Sequence, residues 1–305
     1  KFLNPHMVAI IVVNWKNYDD TQDCLKSLHQ TKNTDFSIIV VDNESQKKPA
    51  EKLKSNFPSI TFLPQKKNLG FTGANNIGIK YGLTLSAEYI MLLNNDTIAP
   101  RNFIDPLLMT LHSNPHIAAV QPKIMFHDKP DKIWNAGGIY YPLNASTRTI
   151  GYNQTDTEKY NESRYVDWIT GCCILIKSEI ITEVGLLNEH FFAYYEDVDW
   201  SLRIQKLGYL LAYNPTLPIY HKIGASSKNK KKMEEGFLSP FVHYLNIRNH
   251  IFLARLHTRG IHAINAHLCL LLKIISYSVY FILKRRRKKL KLSWKGFLEG
   301  YSTQL

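Results

Sequence analysis

Cysteine is scarce in this chain, and acid is in short supply. Four cysteines, Cys24, Cys172, Cys173 and Cys269, occur in 305 residues, with no C-x-x-C spacing among them. A zinc ribbon and a disulfide framework are thereby excluded, and a reducing compartment fits best. No charged-then-apolar leader opens the chain, and residues 1–6 read as an appended leader before a natural start at Met7. Neither G-x-G-x-x-G nor a P-loop is present. Gly73 and Gly78 have the P-loop gap, but Ile79 stands where its Lys must be. Internal repeats are also missing.

Acidic residues number 25 against 38 Lys and Arg, a formal charge of +13. Such an excess points to a phosphate-rich partner: nucleic acid, anionic lipid or a nucleotide. Its location decides among them. Residues 228–305 hold 16 Lys and Arg and three acids, which is the whole excess, so the first three quarters of the chain are neutral. A nucleic-acid-binding protein would spread its basic residues among aromatics over one face. The neutral front argues against that, and no nucleic-acid partner is expected. With 45% hydrophobic and 21% charged residues the chain can build a large core.

Residues 7–13 and 36–41 are short β-branched apolar runs, the pattern of strands buried on both faces of a parallel sheet. Shorter strands are expected at 60–63 and 89–93. Helices are expected between them, from Asp20 or Thr21 to Gln30 and over about 49–57 and 73–85. Strand and helix in alternation give an α/β fold with a mostly parallel sheet. Ligands of such sheets bind beyond the carboxyl ends of the strands, which here carry Asn14, Asp42 and Asp96. From 103 to 184 the pattern is mixed and reads as sheet continuation plus a less regular half.

Each candidate residue has a plain structural alternative. Asp96, after the strand in Asn94-Asn95-Asp96, is placed either to hold Mg²⁺ or Mn²⁺ or to cap the next turn. Asn94 occupies the position where a HAD-type phosphatase needs its first Asp. The glycine-rich stretch from Asn68 to Gly78 is a phosphate cradle or a structural turn. Glu196, Asp197 and Asp199 open a helix and suit its dipole. Asp197, beside the aromatic run 191–195, is also a candidate general base, since partial desolvation raises a carboxylate pKa. His221 is a structural hydrogen bonder or a metal ligand paired with Asp96.

Taken together, Asn14 in Val13-Asn14-Trp15, Asp42-Asn43, Asn68 and Gly70 with Asn76, Asn94-Asn95-Asp96, Gly171, residues 192–200 and Tyr244-Leu245-Asn246-Ile247-Arg248-Asn249 resemble glycosyltransferase family 2. These are inverting nucleotide-sugar enzymes of the GT-A fold, an α/β/α sandwich, and the likeness is strongest to rhamnosyltransferase-like members. The resemblance implies a hexosyltransferase taking rhamnose or another hexose from a UDP-, dTDP- or GDP-sugar to a glycan or lipid-linked acceptor. It assigns Asp197 as base and Asp96 with His221 to a divalent metal. Asn14, Asp42, Asn68, Gly70, Asn76, Asn94, Asn95 and Arg248 fall on the donor side, with Arg248 near the diphosphate. Trp168, Gly171, Tyr195 and Glu196 fall on the acceptor side. The metal motif has one carboxylate where the family's D-x-D has two. A nucleotidyltransferase on the same fold is disfavoured, because no glycine-rich basic turn follows the first strand.

The expected organisation is a nucleotide-sugar half over 7–120, an acceptor half over 121–250 and a basic amphipathic tail over 251–305. Within the tail, His262, Asn265, Lys273, Ser276 and Tyr280 share one helical stripe, and Leu268, Leu271, Ile275, Val279 and Ile282 face away from it. A polybasic run at 284–291 follows. An apolar helix beside such a run reads as docking to an anionic membrane through 261–291, on the inner face of the cell membrane.

Overall fold

The computed structural model describes residues 7–31, 34–222 and 238–305. The expected leader at 1–6 and the basic run at 228–232 lie outside the described residues. In chain order the first elements are β1 (Val8–Asn14), α1 (Tyr18–Leu28), β2 (Phe36–Asp42), α2 (Lys47–Asn56), β3 (Thr61–Pro64), α3 (Gly70–Thr84), β4 (Tyr89–Asn94) and β5 (Thr97–Ile98). There follow α4 (Ile104–Ser113), β6 (Ile117–Phe126), β7 (Ile133–Asn135), β8 (Gly138–Tyr141), β9 (Ser146–Thr149), β10 (Arg164–Tyr165), β11 (Cys173–Lys177), α5 (Ser178–Val184), α6 (Glu196–Lys206) and β12 (Leu210–His221). The C-terminal helices are α7 (Pro240–His257), α8 (Gly260–Leu283) and α9 (Arg287–Ser302).

Ten strands form one sheet whose main path runs β10-β12-β6-β11-β4-β1-β2-β3, with β5 added to β12 and β7 to β6. β3, β2, β1 and β4 are parallel, and β11 is inserted antiparallel between β4 and β6. The central strands are buried on both faces because helices cover both. Leu25, Leu28, Leu53, Leu107 and Leu111 of α1, α2 and α4 pack on one side, and Ala74, Ile79, Ile181, Trp200 and Ile204 of α3, α5 and α6 on the other. Each such fully buried aliphatic side chain contributes about 1.5–3 kcal/mol. This is the α/β sandwich expected from the strand pattern.

The glycine-rich stretch serves packing. A Cβ on Gly78 would come within 2.4 Å of Ile11 Cγ2, and one on Gly82 within 3.0 Å of Ala9 Cβ. The glycines let α3 lie close on the sheet. β12 is a 12-residue strand that runs past Pro215 and Pro218 through an irregularity between Asn214 and Ile219. Two expected boundaries also move. The one at 120/121 falls inside β6, and the one at 250/251 falls inside α7, an 18-residue helix. Ser239 caps α7 by accepting from Val242 N–H, with Pro240 in the first turn.

Candidate active site

The parallel register sets Asn14 opposite Asp42 and Val13 opposite Asn94, so the carboxyl ends of β1, β2 and β4 come together. Asp42 is fully buried. Its Oδ1 accepts from Asn14 Nδ2 at 2.6 Å, and its Oδ2 from Tyr18 OH at 2.8 Å and Ser45 Oγ at 2.5 Å. Asn14 in turn accepts from Thr21 Oγ1 at 2.8 Å. Asn95 donates to the same Thr21 hydroxyl at 2.9 Å. Asn14, fully buried, thus orients Asp42 from behind. Tyr18 and Ser45 are members of this group that the sequence did not single out. The signal was their proximity to the ends of β1 and β2.

Asn68 joins through Asn43, whose Nδ2 donates to Asn68 Oδ1 at 2.9 Å, and Asn68 Oδ1 also accepts from Gly70 N–H at 2.8 Å. Gly70 sits at φ +74°, and a Cβ there would lie 2.4 Å from the Phe192 carbonyl oxygen. Only glycine fits that backbone and that approach. Asn76 is placed differently from the donor-side expectation. Its amide is consumed by Leu187 N–H, Leu187 O and Glu189 Oε1, so it staples α3 to the segment before α6. Asn94 is half-buried at the end of β4.

Asp96 and His221 are brought together by the β5–β12 pairing, which sets Thr97 opposite His221. His221 Nε2 lies 3.0 Å from Asp96 Oδ1, and both residues are buried. The edge of the His221 ring meets Trp134 with centroids 4.4 Å apart. Its other nitrogen, Nδ1, is buried with no hydrogen-bond partner among the described residues. One carboxylate and one imidazole are donors that suit a divalent ion of the Mg²⁺ or Mn²⁺ class. No group of three or more His, Cys, Asp or Glu able to hold a metal occurs among the described residues. The pair by itself offers an ion two protein ligands.

Asp197 lies in the first turn of α6. Gly171 N–H donates to its Oδ2 at 3.0 Å and Val198 N–H to its Oδ1 at 2.9 Å. Burial pushes its pKa up against those backbone donors, which pull it down. Glu196 is pushed well up, first by burial and then by the charge of Asp197. Its Oε2 has no hydrogen-bond partner among the described residues. Asp199 is structural: it holds Arg203 Nε at 2.9 Å and His257 Nε2 at 2.7 Å. Burial raises the Cys172 thiol, and the charges of Asp96 and then Asp197 raise it further. Asp96 and Asp197 thus both lie within electrostatic reach of Cys172.

The approach to Asp197 is strained. Phe192, Tyr194 and Tyr195 all have positive φ, at +64°, +72° and +69°. At Phe192 ψ is −56°, and Ala193 N–H donates to Phe191 O at 2.7 Å, the geometry of the rare positive-φ γ-turn. Such residues cost about 1–3 kcal/mol each and persist only where neighbours enforce them. Two residues of α7 do so. Asn249 Nδ2 donates to the carbonyls of Phe191, Ala193 and Tyr194 at 2.8, 2.7 and 2.9 Å. Arg248 Nη2 donates to His190 O and Phe191 O, both at 3.0 Å, and its Nη1 to Tyr244 OH at 3.0 Å. Tyr195 stacks on His250 with centroids 5.3 Å apart.

Arg248, expected near the diphosphate, places its guanidinium on loop carbonyls and on Tyr244 OH. Trp168 is a packing residue: it lies against Gly138, donates to Ile139 O and joins Val198, Leu202 and Leu253.

A family model for glycosyl transferase family 2 matches residues 9–185, more than half of the chain. The chain belongs to glycosyl transferase family 2. It is 28% identical over 250 residues to the low-salt glycan biosynthesis hexosyltransferase Agl10 of Haloferax volcanii, covering 79% of this chain and 73% of that one. It is 25% identical over 255 residues to the dTDP-rhamnosyl transferase RfbF of Shigella flexneri, covering 83% and 81%. Two solved glycosyltransferases share the fold. The mannosyltransferase PcManGT of Pyrobaculum calidifontis, in complex with GDP-Man and Mn²⁺, superposes with a TM-score of 0.57 at 12% identity, covering 100% of this chain and 77% of that one. GalNAc-T7, with UDP, GalNAc and Mn²⁺, gives 0.55 at 15% identity over 72% of this chain, which spans 44% of that protein's length. This family 2 glycosyltransferase therefore has the GT-A architecture.

Proposed function

We propose that this glycosyltransferase moves a hexose, rhamnose or a related sugar, with inversion, from a nucleoside-diphosphate sugar to a glycan or lipid-linked acceptor. The setting is cell-surface polysaccharide synthesis at the inner face of the cell membrane. The names of the relatives support the sugar class, among them the N-acetylglucosaminyl-diphospho-decaprenol L-rhamnosyltransferase of Mycobacterium tuberculosis, 25% identical over 236 residues. The observation that carries the reading is Asp197. It is raised in pKa by burial and held by two backbone N–H groups, one of them from Gly171, whose neighbour Cys172 accepts from Asn94 N–H at the end of β4.

In this reading the nucleobase of the donor, uracil, thymine or guanine, lies against the Asp42 cluster, and Asn68, Gly70, Asn94 and Asn95 shape the rest of the donor pocket. Asp197 accepts the proton of an acceptor hydroxyl. The oxygen forms a bond to the anomeric carbon as the bond from that carbon to the diphosphate oxygen breaks on the opposite face, and the nucleoside diphosphate leaves with the electron pair. Asp96 and His221 would hold Mg²⁺ or Mn²⁺, which when bound neutralises charge on the diphosphate. Gly171 fixes the base and Tyr195 and Glu196 wall the acceptor side.

A panel of UDP-, GDP- and dTDP-sugars tests the reading. One of them should raise the Tm in the presence of Mn²⁺ and be turned over, and EDTA should remove turnover. Absence of both stabilisation and hydrolysis across the panel would sink it.

A further inference from the structure

Among the described residues, exposed large hydrophobic side chains concentrate on the outer face of α8. Ile261, Ile264, Leu268, Leu271, Leu272, Ile275, Val279, Ile282 and Leu283 recur at helical spacing and are 42 to 76% exposed. The inner face is spoken for. Ala266, Leu270 and Ile274 pack with Ile247, Ile251 and Ala254 of α7, and Asn265 donates to Leu143 O at 2.8 Å. Lys273 Nζ lies 3.1 Å from His250 Nδ1. Apolar side chains thus occupy the outer face of α8 as well as the inner one, whereas an amphipathic helix that merely covers a core is polar outside.

We infer that α8 lies in the plane of an anionic bilayer and docks the enzyme through this outer face. Charge complementarity commits the surface to that occupant. Lys284, Arg285, Arg287 and Lys291, all exposed, follow directly at the end of the apolar stripe. Such charges are drawn to an anionic leaflet and strengthen docking there. α9 completes the surface, for Trp294 Nε1 donates to Ser278 Oγ at 2.9 Å and Tyr301 OH lies 2.9 Å from His267 Nδ1. Both aromatics are over a third exposed and flank the stripe, where amphipathic rings favour the headgroup level.

By length and composition α8 could also cross a membrane. Spanning would require stripping Ala266, Leu270, Ile274 and Phe281 from their packing and drawing Lys273 toward the midplane. A charge at that depth is strongly disfavoured. Lying flat keeps every inward contact and immerses only side chains that are already exposed.

The inference deepens the membrane part of the proposed function and rests on it, but not on the transfer chemistry. It is tested with the full chain and point variants, because α9 braces α7 and its removal would disturb the fold. The protein should float with phosphatidylcholine–phosphatidylglycerol vesicles and much less with phosphatidylcholine alone. Leu271→Glu with Ile275→Glu should cut vesicle binding about tenfold or more and leave Tm and turnover of a water-soluble acceptor unchanged. Fluorescent labels placed singly at Ile264, Leu271 and Val279 should be quenched at one shared shallow depth by lipid-borne quenchers. No flotation, unaltered flotation of the double variant, or a dimer in lipid-free solution that the double variant dissociates would overturn the docking surface. Quenching deepest at Leu271 would overturn the in-plane placement while leaving membrane association standing. Loss of turnover without loss of flotation would count against the chemistry alone and leave the docking surface supported.

Discussion

Asp42 and Glu196 are almost equally buried, yet Asp42 receives hydrogen bonds from Asn14, Tyr18 and Ser45, whereas Glu196 keeps an oxygen with no partner among the described residues and sits next to a second carboxylate. One centre is satisfied at the ends of regular parallel strands. The other is under-satisfied and stands behind residues in costly backbone conformations. A satisfied carboxylate is suited to hold a ligand in a fixed place, whereas burial of the adjacent Glu196 and Asp197 carboxyls favours the holding of a proton at that centre. The contrast extends to what supports them. The Asp42 cluster is built from β1, α1 and β2, close in sequence, while the Asp197 loop is held by Arg248 and Asn249 more than fifty residues later.

The largest effect should come from Asp197→Asn. Loss of a general base lowers turnover by about 10²–10⁴-fold, and donor affinity, read by titration calorimetry, should stay within a factor of about two. An equal loss of both would erase the distinction between the two centres. Asn249→Ala comes next. The three strained residues together cost about 3–9 kcal/mol, and the carbonyl bonds from α7, at about 0.5–1.5 kcal/mol each, are what hold them. Turnover should fall about 10- to 100-fold with donor affinity unchanged. Arg248→Ala should behave likewise, and Arg248→Lys should not rescue it, since one ammonium cannot reproduce the fork onto His190, Phe191 and Tyr244. A fall in donor affinity instead would return Arg248 to the diphosphate.

Asp42→Asn should act in the opposite sense, weakening donor binding about tenfold, the scale of one charge-assisted hydrogen bond, with turnover at saturating donor nearly unchanged. The smallest effect concerns pH. Glu196 ionises well above its ordinary value of 4.5 in the fold. Between the unfolded and folded pKa values the native state therefore binds more protons than the unfolded state, and stability falls as pH rises through that window. Glu196→Gln should raise the Tm by about 2 °C or more at pH 8 and leave it unchanged at pH 4. A gain of the same size at both pH values would show that ionisation is not the cause.

Much of the donor half was legible in the sequence because β-branched runs declare buried parallel strands, and the strand ends then place Asn14, Asp42 and Asp96 without further information. What could not be read depends on backbone angles and distant partners. Nothing in Phe192 or Tyr195 announces a positive φ, and Asn76 looks no different as a staple than as a ligand. β12 was hidden by Pro215 and Pro218, which ordinarily end strands. α7 was missed although Ser239 and Pro240 mark its start, because its faces are too evenly mixed to show a period. Arg248 was read near the diphosphate from resemblance, and only the carbonyls it meets reveal its other task.

The bracing of α7 by α9 sets an order in time. Gly296 packs so closely on Tyr244 that a Cβ would lie 2.5 Å from its carbonyl oxygen, and Tyr244 also hydrogen-bonds Glu299 and Arg248. A growing chain folds from its N-terminal end as it is made, so the sheet and the Asp42 cluster can form while α9 is still in the ribosome. The segment that aims Asp197 must wait for it. Under the proposed roles, the nascent enzyme would be able to grip its donor before it can spend it.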